Sequence, residues 1–175
     1  MRVAVTGTPG TGKTTAVEAL EADPAFADRD LDVVHLNDLI RDEELWTDRD
    51  AERDSLVADL DAVGERLAGR DDLLVESHLA HHLDVDRVVV LRCHPEELER
   101  RLRDRGESEA KATENAESEA LDVVLSAAVS EHGIENVYEI DATECDPEAV
   151  AAEILAVLAG ERDPSAGEVD FVEYL

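Results

Sequence analysis

Apolar positions gather in five short runs, at residues 3–5, 33–34, 73–75, 88–91 and 137–140. Each is about one strand long and rich in β-branched or aliphatic residues, and the segments between them have the period of a helix. Continuous apolar strands alternating with helices predict a parallel sheet buried on both faces. Helices are expected over residues 13–22, 51–68, 95–105, 108–131 and 147–158. Their ends carry signals: Pro95 opens one helix, Gly106 follows it, and Gly160 closes the last. Residues 161–167, with Pro164 and Gly167, read as an extended loop. With no internal repeat and no long linker, the 175 residues are read as one α/β domain, a doubly wound parallel sheet of about five strands.

Composition narrows the setting. No apolar run approaches the roughly 20 residues needed to cross a bilayer. Residues 1–5 open on a strand instead of a cleavable leader, so a cytoplasmic protein with no membrane partner is expected. Cys93 and Cys145 form no CxxC pair, which leaves packing as the source of stability. The charge is lopsided, with 45 acidic residues against 16 basic ones for a formal net charge of −29, and only two of the basic residues are lysines. The acids are spread along the chain, so they do not form an interaction tail. Self-repulsion of that size is tolerable where salt cuts the screening length to about 3 Å, which points to a salt-loving organism. The same acidity excludes broad electrostatic binding of nucleic acid.

Against this background one motif stands out. The first strand runs into Gly7-Thr8-Pro9-Gly10-Thr11-Gly12-Lys13-Thr14-Thr15, which satisfies G-x-x-x-x-G-K-[ST] in a strand-loop-helix setting. Gly7, Gly10 and Gly12 let backbone N–H groups turn inward around a polyphosphate, and the following helix adds the positive end of its dipole. Lys13 is expected at the β- and γ-phosphates of ATP, with Thr14 offering its hydroxyl to Mg²⁺. Glu76 ends the apolar strand 73–75, where an acid can hold Mg²⁺ or its water shell. His78 carries two readings: it orients or deprotonates a water beside the γ-phosphate, or it is structural. A zinc cluster of His78, His81 and His82 is not expected, since no carboxylate-histidine helix motif surrounds them.

The chain resembles the P-loop adenylate kinases of the isoenzyme 6 type, found in archaea and eukaryotes. The resemblance rests on GTPGTGKTT at 7–15, LNDLIRDEELW at 36–46, Glu76-Ser77-His78 and RLRDRGESEAKATENAESEALDV at 101–123. It implies a P-loop NTPase three-layer fold with a monophosphate-binding arm at about 35–58 and a short lid at about 104–114. It implies a kinase transferring the γ-phosphoryl of ATP to AMP or another nucleoside monophosphate, with possible ATPase activity. Its alternative is an ATP-driven assembly factor for late small ribosomal subunit maturation and pre-16S rRNA processing, holding a small-subunit ribosomal protein. The family usually has Asp-x-His where this chain has Glu76-Ser77-His78, one methylene longer.

Gly10, Gly12, Lys13, Thr14 and Thr15 would cradle ATP. Arg105, one of five arginines within residues 92–105, is assigned by the resemblance to ATP and to catalysis, and its planar guanidinium suits phosphate oxygens. Arg41, in the arm, reads either as the clamp on the acceptor's α-phosphate or as an ion pair with Asp38, Asp42 or Glu44. For Trp46 packing is the favoured role over a place near the acceptor base. The cysteines are read as core or near-core side chains without chemistry, and Phe171 and Tyr174 as docking the C-terminal tail. A kinase acting on a hydroxyl would need a carboxylate base facing the acceptor, and no position identifies one.

Overall fold

The computed structural model describes residues 1–51 and 55–175. Its strands are β1 (Arg2–Thr6), β2 (Asp32–His35), β3 (Trp46–Asp50), β4 (Ser55–Ala58), β5 (Leu73–Glu76), β6 (Arg87–Arg92) and β7 (Val137–Asp141). The helices are α1 (Lys13–Glu21), α2 (Pro24–Ala27), α3 (Leu36–Asp42), α4 (Leu60–Arg66), α5 (Pro95–Asp104), α6 (Glu109–Ala120), α7 (Val123–His132) and α8 (Pro147–Ala159). Five strands form one parallel sheet in the order β2-β5-β1-β6-β7. The five apolar runs are its strands.

The runs are apolar, apart from the buried Glu139 in β7, because both faces are covered. Val3 and Val5 of β1 pack with Ala16, Val17 and Leu20 of α1 and Val150, Ile154 and Val157 of α8. Ala4 between them points the other way, into a core with Val75, Val88, Val90, Ile40, Val63, Leu125 and Ala128. The chain leaves β1 for β2 on one side and returns by β5 before crossing to β6 on the other, so the order reverses around β1. Parallel sheets bind ligands at the carboxyl ends of their strands, outside such a switch point. The register puts Val5, Glu76 and His35 level there, on three adjacent strands.

Two expected helices are corrected. The helix over 51–68 is instead β4 and the shorter α4; residues 52–54 of that stretch lie outside the described residues. β4 pairs antiparallel with β3, so the arm carries a two-stranded hairpin whose polar first strand and four-residue second strand concealed it. Asp59 ends the hairpin and starts α4, its side chain accepting from the Ala62 N–H at 3.0 Å, a cap of the kind that contributes about 1 kcal/mol. The helix over 108–131 is two helices, α6 and α7, broken at Asp122. Asp122 sits at φ 54°, a conformation aspartate tolerates better than most residues, and accepts from Arg92 Nη2 at 2.5 Å. No glycine or proline marks this break. Trp46, expected to pack, is 37% exposed at the start of the hairpin.

Candidate active site

The loop between β1 and α1 is wound as its motif requires. Gly7 has φ 144°, and a Cβ there would come within 2.4 Å of the Leu91 carbonyl oxygen on β6, so only glycine lets the loop leave the sheet so closely. Lys13 is 7% exposed. Its Nζ donates to the carbonyls of Gly7 at 2.9 Å and Thr8 at 3.0 Å, and reaches Thr11 Oγ1 at 3.5 Å. Burial pushes its pKa down to about 8, against the pull of Glu76 and Glu119, with Arg105 adding to the fall. A lysine poised this way gains when phosphate oxygens replace carbonyl partners, because the buried cation then meets full negative charge.

Beside it, Thr14 Oγ1 donates to Glu76 Oε1 at 3.2 Å, and Glu76 is 4% exposed. Hydroxyl and carboxylate oxygens converging at the end of β5 are the hard donor set that Mg²⁺ takes, so these residues fit the ion. The other Glu76 oxygen meets His35 Nδ1 at 3.0 Å, and His35 Nε2 reaches Glu21 at 3.4 Å. Partial burial lowers the His35 pKa, but the two carboxylates outweigh it and leave the pKa raised. Ser77 donates to Asn37 Oδ1 at 2.8 Å and accepts from the Leu79 N–H at 3.1 Å, which holds the turn carrying His78.

Three clefts meet at this loop. Gly10, Gly12, Lys13, Thr14, Thr15, Glu76, His78 and Arg105 share the small central one. Arg105 also faces a second cleft of about 240 Å³, with Arg101, Ala142, Cys145 and Val150 opposite Gly12 and Ala16. The third is a groove of about 740 Å³, lined among others by Pro9, Asn37, Arg41, His78, Lys111 and Asn115. His78 therefore lies where the central cleft opens into the groove. Burial first, then the charges of Lys13 and His82, pushes its pKa down to about 4. It is neutral at pH 7, suited to orienting a water and poorly matched to strong proton abstraction.

The structure thus brings Gly10, Gly12, Lys13, Thr14, Thr15, Glu76, His78 and Arg105 together around one space. Arg41 stands apart from them in the groove, 65% exposed and 3.4 Å from Asp38, so the ion-pair reading describes its present contact. The arginine cluster divides. Arg100 and Arg101 pair with Glu97, Arg103 with Glu99, and Arg92 is buried, whereas Arg105 makes no ion pair among the described residues. Cys93 is buried as expected, its thiol pushed up to about 12 by burial, but Cys145 is exposed and lines a cleft. The tail docks: Phe171 packs over the Arg92 guanidinium and edge-on to His94, and Tyr174 reaches Glu99 at 3.3 Å.

Sequence reasoning gave no role to His35, Asn37 or Arg92, and none to Glu119, which touches the phosphate loop through Thr8. A signal existed for Glu119, because it shares a helix face with the buried Ala112 and Ala116. No corresponding signal marked His35.

Comparison with known proteins agrees with this architecture. A family model described as an AAA domain matches residues 3–122. A protein of Natronomonas pharaonis named "Putative adenylate kinase" is 67% identical over 175 residues, covering all of both chains. One of the same name from Halobacterium salinarum is 60% identical over 176 residues, again covering both chains fully. Another from Methanosarcina acetivorans is 39% identical, covering 90% of this chain and 86% of its own. Among solved structures, shikimate kinase from Bacteroides thetaiotaomicron superposes with a TM-score of 0.57 at 19% identity, over 91% of this chain and 98% of its own. A sulfotransferase from Alicyclobacillus acidocaldarius gives 0.54 at 15% identity, over 95% and 85%. At such identities the last two show a shared fold. No helix among the described residues is long and apolar enough to cross a membrane.

Proposed function

The chain belongs to the AAA-domain family of P-loop proteins and to the adenylate-kinase-like relatives that match its whole length, and from that premise we propose a Mg²⁺-dependent nucleoside monophosphate kinase. It moves the γ-phosphoryl of ATP to AMP or a related monophosphate. The observation that carries this reading is the junction at His78, where a cleft built from the phosphate loop opens into a groove large enough for a second nucleotide. A donor on one side and an acceptor on the other meet at the γ-phosphate position.

In this reading Lys13 leaves the Gly7 and Thr8 carbonyls for the β- and γ-phosphate oxygens, and Arg105 neutralises charge from the lid side. Thr14 and Glu76 would hold Mg²⁺ or its water shell, and the ion supplies charge neutralisation on the phosphates. The cleft of Arg101, Ala142, Cys145 and Val150 takes the donor's base and ribose. Arg41 turns from Asp38 to the acceptor's α-phosphate when the arm closes. Transfer needs no base, because the acceptor phosphate is already an anion, so the protein's task is alignment and charge. His78 serves the slower side reaction, holding a water for ATP hydrolysis while no acceptor fills the groove. The acidity suits a protein working in molar salt. The ribosome-assembly reading draws no support from the relatives, whose printed names state a kinase.

The test is to incubate the protein in molar KCl with Mg²⁺ and ATP and follow ADP formation with and without each monophosphate, recording phosphate release in parallel. ADP that depends on a monophosphate and appears without free phosphate is expected. Phosphate release indifferent to every monophosphate would replace the kinase with an ATPase.

A further inference from the structure

Three buried charges lie beneath the phosphate loop and take no part in the chemistry proposed above. Arg92 at the end of β6 is 1% exposed, and Glu119 on α6 and Glu139 on β7 are each 2% exposed. Arg92 Nε donates to Glu119 Oε1 at 2.7 Å, its Nη1 to Glu139 Oε1, and its Nη2 to the Glu119 carbonyl at 3.1 Å. Glu139 Oε2 accepts from the N–H groups of Gly167 and Glu168, both at 2.8 Å, and from that of Val169 at 3.3 Å. Every charge in this set is therefore paired, and Arg92 cannot shift without breaking the tail's hold on the sheet.

Glu119 is the member that faces the nucleotide. Its Oε1 is already occupied by Arg92 Nε and by the Cys93 N–H at 3.1 Å. That leaves Oε2, which accepts from the Thr8 hydroxyl at 2.5 Å. Thr8 is in turn the knot of the phosphate loop. Its carbonyl accepts from Lys13 Nζ at 3.0 Å, Thr11 Oγ1 at 3.0 Å and the Thr11 N–H at 3.3 Å. The loop around Thr8 is thus tied to the sheet by a carboxylate whose own position is locked by a guanidinium fork.

We infer that Glu119 is a positioning residue for ATP, holding Thr8 so that the phosphate loop keeps its open, nucleotide-ready winding before the phosphates arrive. Pre-ordering of this kind improves binding by removing an ordering cost, because the loop would otherwise have to be wound at the expense of binding free energy. A buried carboxylate is a costly way merely to fill space, since a packed apolar residue there would be as stable or more so. Its value lies in the direction it imposes on one hydroxyl. The inference rests on the kinase reading only for its turnover arm; the binding arm requires only that the loop takes ATP.

The test turns on the Thr8 hydroxyl, because Glu119→Ala would strand Arg92 and could fail to fold. Thr8→Val removes the hydroxyl and keeps the shape, while Thr8→Ser keeps the hydroxyl and loses a methyl. In molar KCl, the Kd for Mg²⁺-ATP is measured by calorimetry alongside the melting temperature, and KM and kcat are measured for ATP and for AMP. Thr8→Val should weaken ATP binding about tenfold, the scale of a charge-assisted hydrogen bond. The KM for AMP should hold, while the melting temperature should fall by a few degrees because Glu119 Oε2 loses its buried donor. Thr8→Ser should restore most of the affinity. An unchanged Kd in Thr8→Val, or a Thr8→Ser protein no better than Thr8→Val, would overturn the inference. If the parent makes no ADP from any monophosphate, the kinase reading fails, and the Kd comparison still decides the role of Glu119.

Discussion

In the proposed kinase, the donor side and the acceptor side are built on opposite principles. Around the phosphate loop, Lys13, Glu76 and Glu119 are all buried, each with its partner already in place. In the arm, Arg41 is 65% exposed and pairs at the surface with Asp38, and among the described residues β3 pairs with β4 in a sheet of its own. A two-stranded hairpin is at best marginally stable alone. The start of the arm is attached by Leu36 and Ile40 in the core and by the His35–Glu76 and Ser77–Asn37 contacts, whereas its outer part is held by the Arg66–Glu43 pair and the Asp59 N–H on the Leu45 carbonyl at 2.9 Å. The donor cradle is preorganised because its charges cannot be assembled cheaply once buried. In the proposed kinase the outer part of the arm, the β3–β4 hairpin, closes late because it buries little, and lids are drawn from such regions.

The largest expected effect breaks the donor side. Lys13→Ala should lower both transfer and hydrolysis by about 10³-fold or more, since both require the phosphates to be held and neutralised. The melting temperature should stay within a few degrees of the parent's, because the desolvation penalty shed with the buried charge, visible in a pKa lowered to about 8, offsets the hydrogen bonds lost at the Gly7 and Thr8 carbonyls. Steady-state rates with a melting curve check both halves; near-normal turnover would end the P-loop argument.

Arg41→Ala probes the other side. It should raise the KM for the acceptor about tenfold, a typical loss for one charge-assisted contact, while leaving the KM for ATP and the melting temperature unchanged. Equal effects on both substrates would mean that the arm is not a separate acceptor element.

The smallest effect on phosphoryl transfer lies at the junction of the two. His78, with its pKa pushed down to about 4 against an ordinary value of 6.5, binds fewer protons folded than unfolded between those limits. Stability attributable to it is therefore complete above pH 6.5 and drains away as the pH falls toward 4. In His78→Asn that drain disappears. The melting-temperature gap between parent and variant should shift by a few degrees against the parent over this interval, measured in molar KCl so that carboxylate titration is screened alike in both. The same variant should lower ATP hydrolysis by about 10²-fold, with transfer to AMP comparatively intact.

The sheet was legible because its strands are buried on both faces, so that five short runs, apolar but for Glu139 in the last, mark it without help from neighbours. The phosphate loop was legible because Gly7, Gly10, Gly12 and Lys13 must fall at set intervals for the backbone to wrap a polyphosphate, and that constraint is local. The arm hairpin was not, since neither β3 nor β4 buries a face, β3 is mostly polar, and the four residues of β4 are too few to show a strand pattern against the helix that follows. Nor was the break at Asp122, where a guanidinium 30 residues earlier, and not a glycine, holds the turn. The same holds for Arg92 and for the role of Glu119, whose helix face shared with Ala112 and Ala116 marks it as buried without naming its partner. In the sequence Glu119 is one acid among 45 acidic residues. Only the crossing of β6, β7 and α6 under the loop turns it into an anchor, because a buried charge takes its meaning from the partners that tertiary structure brings within hydrogen-bond reach.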